Sequence, residues 1–341
     1  MCCNVGGRPR GREALSEERV EHVRHQVATS EGGRKRWSRA WVLVTVVALL
    51  GLVPLVTTTV TRDDSADEKA SLSSTEPVEE VPERARPRKR KHLRFAVASF
   101  NVLGWRHTAK GGRLASWPDG RKRMKRTLRL VERYGVDVVG FQELQYPQLE
   151  RFHKRTGTEW SIYPGDRYER IAGHNSIAWR TKMWKKRSGG YLRIPYFRGI
   201  RIKMPVIELK HRKTGRMVRF ANFHNPSNSK GDARRWRKKA RRMQVRLAKQ
   251  STRTVPLVIT GDMNEKRRYF CHMVGHAPMH AANGGSATRK RCRPPRTMGI
   301  DWIFGSKAIR FRWFEKIPRD RTARTSDHPF LAAGVKIRRR R

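Results

Sequence analysis

The chain has 341 residues, with 78 Lys and Arg against 29 Asp and Glu, a formal net charge of +49 and 10 Trp among 37% hydrophobic residues. That apolar content suffices for a packed core. Such a charge draws polyanions: nucleic acid, an anionic lipid surface or an acidic cell-wall polymer. The plainer reading is an Arg-rich composition with no single ligand.

Residues 1–40 are polar, carry no apolar periodicity and end in the basic run Arg34-Lys35-Arg36-Trp37-Ser38-Arg39; they predict a short cytoplasmic tail. Residues 41–60 then run twenty residues without a charge. At 1.5 Å per residue a helix there spans about 30 Å, the thickness of a bilayer core. Basic residues before it and the acidic Asp63, Asp64, Asp67 and Glu68 after it predict a cytoplasmic N-terminus and an extracytoplasmic C-terminal part. A cleaved signal peptide is the rival, but its basic region would be unusually long and no clear A-x-A site follows. Residues 61–91, rich in Ser, Pro and acids with a basic end, read as an exposed linker.

The composition becomes globular over 92–341. Apolar runs predict strands over 94–100, 136–141, 176–180, 203–209, 217–223, 255–260, 298–304, 308–314 and 329–337. The turn at Lys213-Thr214-Gly215 predicts a hairpin. Helices are predicted over 118–134, with Met124, Leu128 and Val131 on one face, near 146–155, and over 232–250. In the last, Trp236, Ala240, Met243 and Leu247 fall at helical spacing. Its other face is a row of Arg and Lys, suited to phosphates or simply to water.

Four cysteines are present and none forms a C-x-x-C pair, which argues against a structural zinc site. Cys271 and Cys292 enclose a loop of 20 residues. They are either free thiols or, in an oxidising compartment, a disulfide contributing about 3 kcal/mol.

The apolar run that ends on Gly261-Asp262-Met263-Asn264 is the centre of the chemistry. A carboxylate at a strand end can orient or deprotonate water, and an amide two residues on, facing the same way, can donate to an oxyanion. A strand capped by a polar turn gives the same pattern. Polar clusters recur at other strand ends: Asn101, Glu143, His224-Asn225, Asp301 and Asp327-His328. Strand ends on one side of a sandwich converge, so these positions can form one cleft.

Phe100-Asn101, Phe141-Gln142-Glu143, Phe223-His224-Asn225-Pro226, Gly261-Asp262-Met263-Asn264, Gly299-Ile300-Asp301 and Ser326-Asp327-His328-Pro329 together resemble the ordered motif set of the endonuclease/exonuclease/phosphatase superfamily. The resemblance implies an α/β fold, a four-layered αββα sandwich of two mixed sheets flanked by helices, here preceded by one transmembrane helix. It implies a Mg²⁺-dependent phosphodiesterase, with Mn²⁺ or Ca²⁺ as other candidate ions. Glu143, Asn101 and Asp327 would hold the metal, since hard oxygens suit Mg²⁺. His328, oriented by Asp301, would contact the scissile phosphate and move a proton. Asp262 would position or deprotonate the attacking water, and Asn264 would donate to a non-bridging oxygen. His224 and Asn225 would bind phosphate or assist the leaving group, and Asn101 would also touch substrate.

Two departures from the family pattern stand out. The run Gly173-His174-Asn175 lacks the acid that pairs with the histidine matched by His224 in the deoxyribonuclease I branch; Glu169 lies four residues earlier. The run at 299–304, GIDWIF, lacks the signature of the inositol phosphatases. The leading expectation is a membrane-anchored extracytoplasmic nuclease on DNA or RNA. The alternatives are a sphingomyelinase-like phosphoester hydrolase, for which no apolar loop near the cleft is evident, and a non-catalytic polyanion receptor. No protein partner is evident in the sequence.

Overall fold

The computed structural model describes residues 92–165, 174–252, 254–318 and 324–337. The expected tail, membrane span and linker, and also Glu169, lie outside the described residues. Among the described residues no helix is long and apolar enough to cross a membrane.

Among the described residues, strands and α-helices follow one another as β1 (Leu93–Asn101), α1 (Gly120–Arg133), β2 (Val138–Gln142), α2 (Tyr146–Thr156), β3 (Trp160–Tyr163), β4 (Ser176–Arg180), β5 (Trp184–Pro195), β6 (Arg201–His211), β7 (Met217–His224), α3 (Arg234–Ser251), β8 (Leu257–Asp262), α4 (Arg267–His276), β9 (Met279–Ala281), β10 (Ser286–Ala287), β11 (Cys292–Arg293), β12 (Asp301–Ser306), β13 (Ile309–Ile317) and β14 (Phe330–Ile337). One six-stranded sheet has the order β13-β14-β1-β2-β4-β3 and the other β5-β6-β7-β8-β12-β9. Both are mixed: β1 and β2 run parallel in the first, β7 and β8 in the second, and the other described pairings are antiparallel.

The layers follow from which faces are apolar. Phe95, Val97 and Val138 of the first sheet meet Leu209, Phe220 and Val258 of the second in the central core. Phe100, Phe141 and Phe330, on the outer face of the first sheet, pack with Met124, Val131, Leu149 and Phe152 of α1 and α2. Phe223, Ile259 and Phe304, on the outer face of the second, pack with Ala240, Val245, Phe270 and Met273 of α3 and α4. Strands buried on both faces read as continuous apolar runs, which is why β1, β2, β8 and β14 stand out in the sequence.

Three strands and one helix give weaker signals. β5 is the edge of its sheet and half of its residues are exposed, so backbone pairing with β6 holds it without an apolar alternation. β3 and β9 are four and three residues long, too short to show a period. α4 carries cations among its apolar residues. In α3 the buried face is turned from the expected one: Ala240 is buried, but its companions are Arg237, Arg241, Gln244, Val245 and Ala248 rather than Trp236, Met243 and Leu247. Two arginines enter because each finds a buried acceptor, Arg237 at the Pro226 carbonyl (2.8 Å) and Arg241 at Glu265 (2.6 Å).

Candidate active site

Strand register assembles the site. His224 and Asp262, the last residues of the parallel strands β7 and β8, lie side by side, and Asp301, the first residue of β12, pairs with Asp262 from the other side. In the first sheet Asn101 ends β1 opposite Gln142. Glu143 follows in a left-handed conformation at φ 58°, which turns the chain out of the strand. Gln142 stays behind, donating to Asn222 of the other sheet at 2.6 Å. Adjacent polar residues thus have separate tasks, one fastening the sheets and the other facing the cleft.

Asn101 ties the two sheet ends together. Its Nδ2 donates to Glu143 Oε1 at 2.9 Å and to Asp262 Oδ2 at 3.3 Å, with His328 Nε2 at 3.5 Å. An amide nitrogen has two hydrogens, so the two carboxylates satisfy it. Its Oδ1 accepts from the Leu103 N–H at 3.0 Å. Asn101 is fully buried, which corrects its expected contact with substrate: it is the donor that draws two carboxylates to one point. Ser326 Oγ donates to the Asn101 carbonyl at 2.6 Å and accepts from the His328 N–H at 3.1 Å, fixing the segment before β14 on the end of β1.

His328 Nδ1 lies 3.0 Å from both oxygens of Asp301, and its Nε2 lies 3.7 Å from Asp262 Oδ2. Burial disfavours the imidazolium, but the Asp301 and Asp262 carboxylates outweigh it and push the pKa up to about 10. The ring is a cation at neutral pH. Burial pushes the Asp262 carboxyl up, against the pull of His328, His224 and the Asn264 N–H, making it a stronger base than an ordinary aspartate. His224 Nε2 sits 3.5 Å from Asp262 Oδ2 and 4.0 Å from Glu143 Oε1.

Asn264 does not share an extended strand with Asp262. β8 ends at Asp262, and Asn264 is left-handed at φ 48°, its N–H on Asp262 Oδ1 (2.9 Å) and its Nδ2 on the Asn225 carbonyl (2.8 Å). The turn locks Asp262 and leaves the second Nδ2 hydrogen for another acceptor. The Asn225 side chain is not brought to the cleft. It is fully buried, accepting from Gln244 Nε2 at 2.7 Å, which corrects its expected substrate contact: it fastens α3 to the end of β7.

Several residues at the site escape the sequence motifs. His107, on a short loop helix, puts Nε2 3.4 Å from Glu143 Oε2. Arg113 donates to His107 Nδ1 at 3.3 Å and to Asp327 Oδ2 at 2.8 Å. Tyr196, at the β5–β6 tip, meets the His224 ring edge-on with centroids 5.9 Å apart. Phe197 packs on Tyr196 at 4.5 Å and carries Lys230 5.7 Å above its ring. Ile200 of the same tip is exposed. An aromatic lip therefore does border the cleft, contrary to the expectation from sequence. These side chains sit on irregular loops, where no periodicity marks them.

The Endonuclease/Exonuclease/phosphatase family model matches residues 98–328. The chain belongs to that family. Family members are hydrolases acting on phosphoester bonds, generally dependent on a divalent metal. A search of curated protein sequences finds no match. Among solved structures, an endonuclease/exonuclease/phosphatase family protein from Bacteroides thetaiotaomicron shares the fold at TM-score 0.56 and 18% identity, over 73% of this chain and 100% of that one. The human nocturnin catalytic domain with bound sulfate does so at TM-score 0.54 and 16% identity, over 75% and 100%. D. rerio TDP2 complexed with single-strand DNA product does so at 0.53 and 17%, over 71% and 98%.

The residues present fit the metal that the family implies. Burial would raise the Glu143 carboxyl, but His107, His224, the Gly104 N–H and Asn101 hold it well below the usual range, so it is ionised. Asp327 keeps one buried oxygen, Oδ1, without a hydrogen-bond partner, as a ligand oxygen would be. Both are hard donors of the kind Mg²⁺ takes. Asp262, Asp301 and His328 also cluster within 4.8 Å. Within that second group Asp301 also accepts from His328 Nδ1, so the same residues can move a proton.

Proposed function

We propose that the protein is a metal-dependent phosphodiesterase acting on nucleic acid, held outside the cytoplasm by the apolar segment 41–60. The observation that carries the chemistry is the Asp301-His328-Asp262 series, an imidazole held through Nδ1 by one buried carboxylate with its Nε2 3.7 Å from a second.

A phosphodiester is anionic, and its hydrolysis needs charge neutralisation, an activated water and a stabilised leaving oxygen. The His328 cation, fixed through Nδ1 by Asp301, presents Nε2 to a non-bridging oxygen. Asp262, locked by the Asn264 turn, accepts the proton of the attacking water. The free Nδ2 hydrogen of Asn264 donates to the phosphate, and His224 binds the phosphate or assists the leaving oxygen. A divalent ion on Glu143 and Asp327, when bound, supplies Lewis-acid neutralisation of the phosphate.

Nucleic acid is favoured by the net charge of +49 and by the Tyr196-Phe197 lip with Lys230 beside it, since base stacking on aromatics next to cations suits single strands. The Cys271–Cys292 disulfide favours an oxidising compartment. The exposed Ile200 on the same lip supports the second reading, hydrolysis of a phospholipid head group at the membrane face.

The test is turnover by the full chain in detergent on plasmid DNA, single-stranded RNA and sphingomyelin vesicles, with Mg²⁺ or with EDTA, beside the Asp262→Ala variant. Metal-dependent cleavage of nucleic acid that vanishes in the variant is expected. Cleavage of lipid alone moves the protein to the second reading, and salt-sensitive DNA binding without any turnover leaves a polyanion receptor.

A further inference from the structure

Away from the cleft, α4 and the hairpin of β10 and β11 border an open groove of about 660 Å³. Arg241, Arg267, Arg268, Arg289, Lys290 and Arg291 line it, and no acid does. Among the described residues Glu265 is the carboxylate bonded to this set, and it is already committed to Arg241 Nη1. Arg241 is 7% exposed, and its Nε is buried without a hydrogen-bond partner. His272 also lines the groove. Burial, Arg241 and His276 push it down to about 4, so it adds no like charge at neutral pH.

The hairpin is seated firmly. The disulfide joins Cys271 of α4 to Cys292 of β11. A Cβ on Gly275 would come within 2.8 Å of the Thr288 carbonyl, so only glycine lets the turn lie this close to the helix. Within the turn the Thr288 N–H donates to the Arg291 carbonyl at 2.7 Å, and the Arg291 N–H to Thr288 Oγ1 at 3.0 Å. Arg289, Lys290 and Arg291 are exposed on this ordered turn, where a bound anion would lower their mutual repulsion further than water and salt do.

We propose that this groove is a second phosphate-backbone site, which grips a nucleic-acid strand at phosphates away from the scissile one. α4 begins three residues after Asn264, so the site adjoins the cleft along the chain. A strand is favoured over an anionic membrane because the surface is concave and none of the exposed large hydrophobics, Tyr146, Tyr191, Ile200 and Trp313, lines it. The proposal rests on a polymeric substrate for the cleft, and its test is independent of turnover.

Binding of a fluorescent 30-nucleotide single-stranded DNA to the full chain is measured by anisotropy in EDTA between 50 and 300 mM NaCl. Arg289→Gln/Lys290→Gln/Arg291→Gln is compared with Lys185→Gln/Arg187→Gln/Arg193→Gln on the opposite edge strand, which removes the same charge. For three lost phosphate contacts the slope of log K against log salt falls by about 2 in the turn variant, with tenfold or greater loss of affinity at low salt. The edge variant keeps most of both. Turnover of bis(p-nitrophenyl) phosphate, too short to span the two sites, stays unchanged in the turn variant. The Cys271→Ser/Cys292→Ser protein, checked for a cooperative melt, keeps every charge yet loses part of the affinity because the turn is untied. Equal losses in the turn and edge variants, or an unchanged slope in the turn variant, would overturn the proposal. Absence of turnover on every phosphodiester with the turn-specific loss intact would instead sink the hydrolase reading and leave the binding site standing.

Discussion

The cleft and the groove beside α4 use charge in opposite ways. In the cleft, charges of opposite sign face one another within a few ångströms: His328 between Asp301 and Asp262, and Glu143 beside His107 and His224. Three of them are moved from their ordinary proton affinities, Glu143 downward and Asp262 and His328 upward. In the groove, charges of one sign sit together in water on a pinned turn, and only Arg241 is deeply buried. Pairing and burial create chemistry at the reacting atoms, whereas accumulated unpaired charge creates affinity that salt can screen.

Perturbations should separate the two regions. Asp262→Ala should have the largest effect, lowering kcat on any phosphodiester by about 10³ to 10⁴-fold while leaving DNA binding in EDTA close to wild type. Chelation should act on the same quantity, with EDTA abolishing turnover and Mg²⁺ restoring it; turnover that survives chelation would remove Glu143 and Asp327 from the mechanism. Asp301→Asn keeps the shape but lowers the negative charge facing Nδ1. It should reduce kcat by about 10²-fold or more with little change in KM for long DNA, and an equal rise in KM would show that the pair binds substrate instead.

Stability perturbations probe the border between the regions. Arg241→Met leaves the buried Glu265 without its 2.6 Å partner and should destabilise the fold by about 3–5 kcal/mol in a denaturant melt. The double variant Arg241→Met/Glu265→Gln should recover much of that loss. The smallest stability effect belongs to the exposed turn, where neutralising Arg289, Lys290 and Arg291 should shift the melt by no more than about 0.5 kcal/mol each.

The elements easiest to read in sequence were those whose burial is two-sided. β1, β2, β8 and β14 show continuous apolar runs because each lies between the central core and a helix layer. β5 did not, because an edge strand needs only its neighbour's backbone. The expected face of α3 was one position off, since periodicity counts arginine as outward-facing and cannot anticipate the buried acceptors of Arg237 and Arg241. At the site, Glu143, His224, Asp262, Asp301 and His328 were legible because strand ends are fixed by the strands themselves. Asn225 misled because the same residue type serves a cleft or a core, and only its contact with Gln244 decides between them.

The order of the motifs, the apolar runs and the charge therefore determined the family, the two-sheet architecture and the set of polar residues at strand ends, since each is written in local composition and spacing. Register and loop placement determined the rest. Parallel pairing of β7 with β8 puts His224 beside Asp262, and a left-handed turn swings Glu143 toward Asn101. The disulfide and Gly275 hold three cations of a distant turn against α4. Such relations join residues far apart along the chain, so they exist only once the sheets have packed and the loops have closed over them.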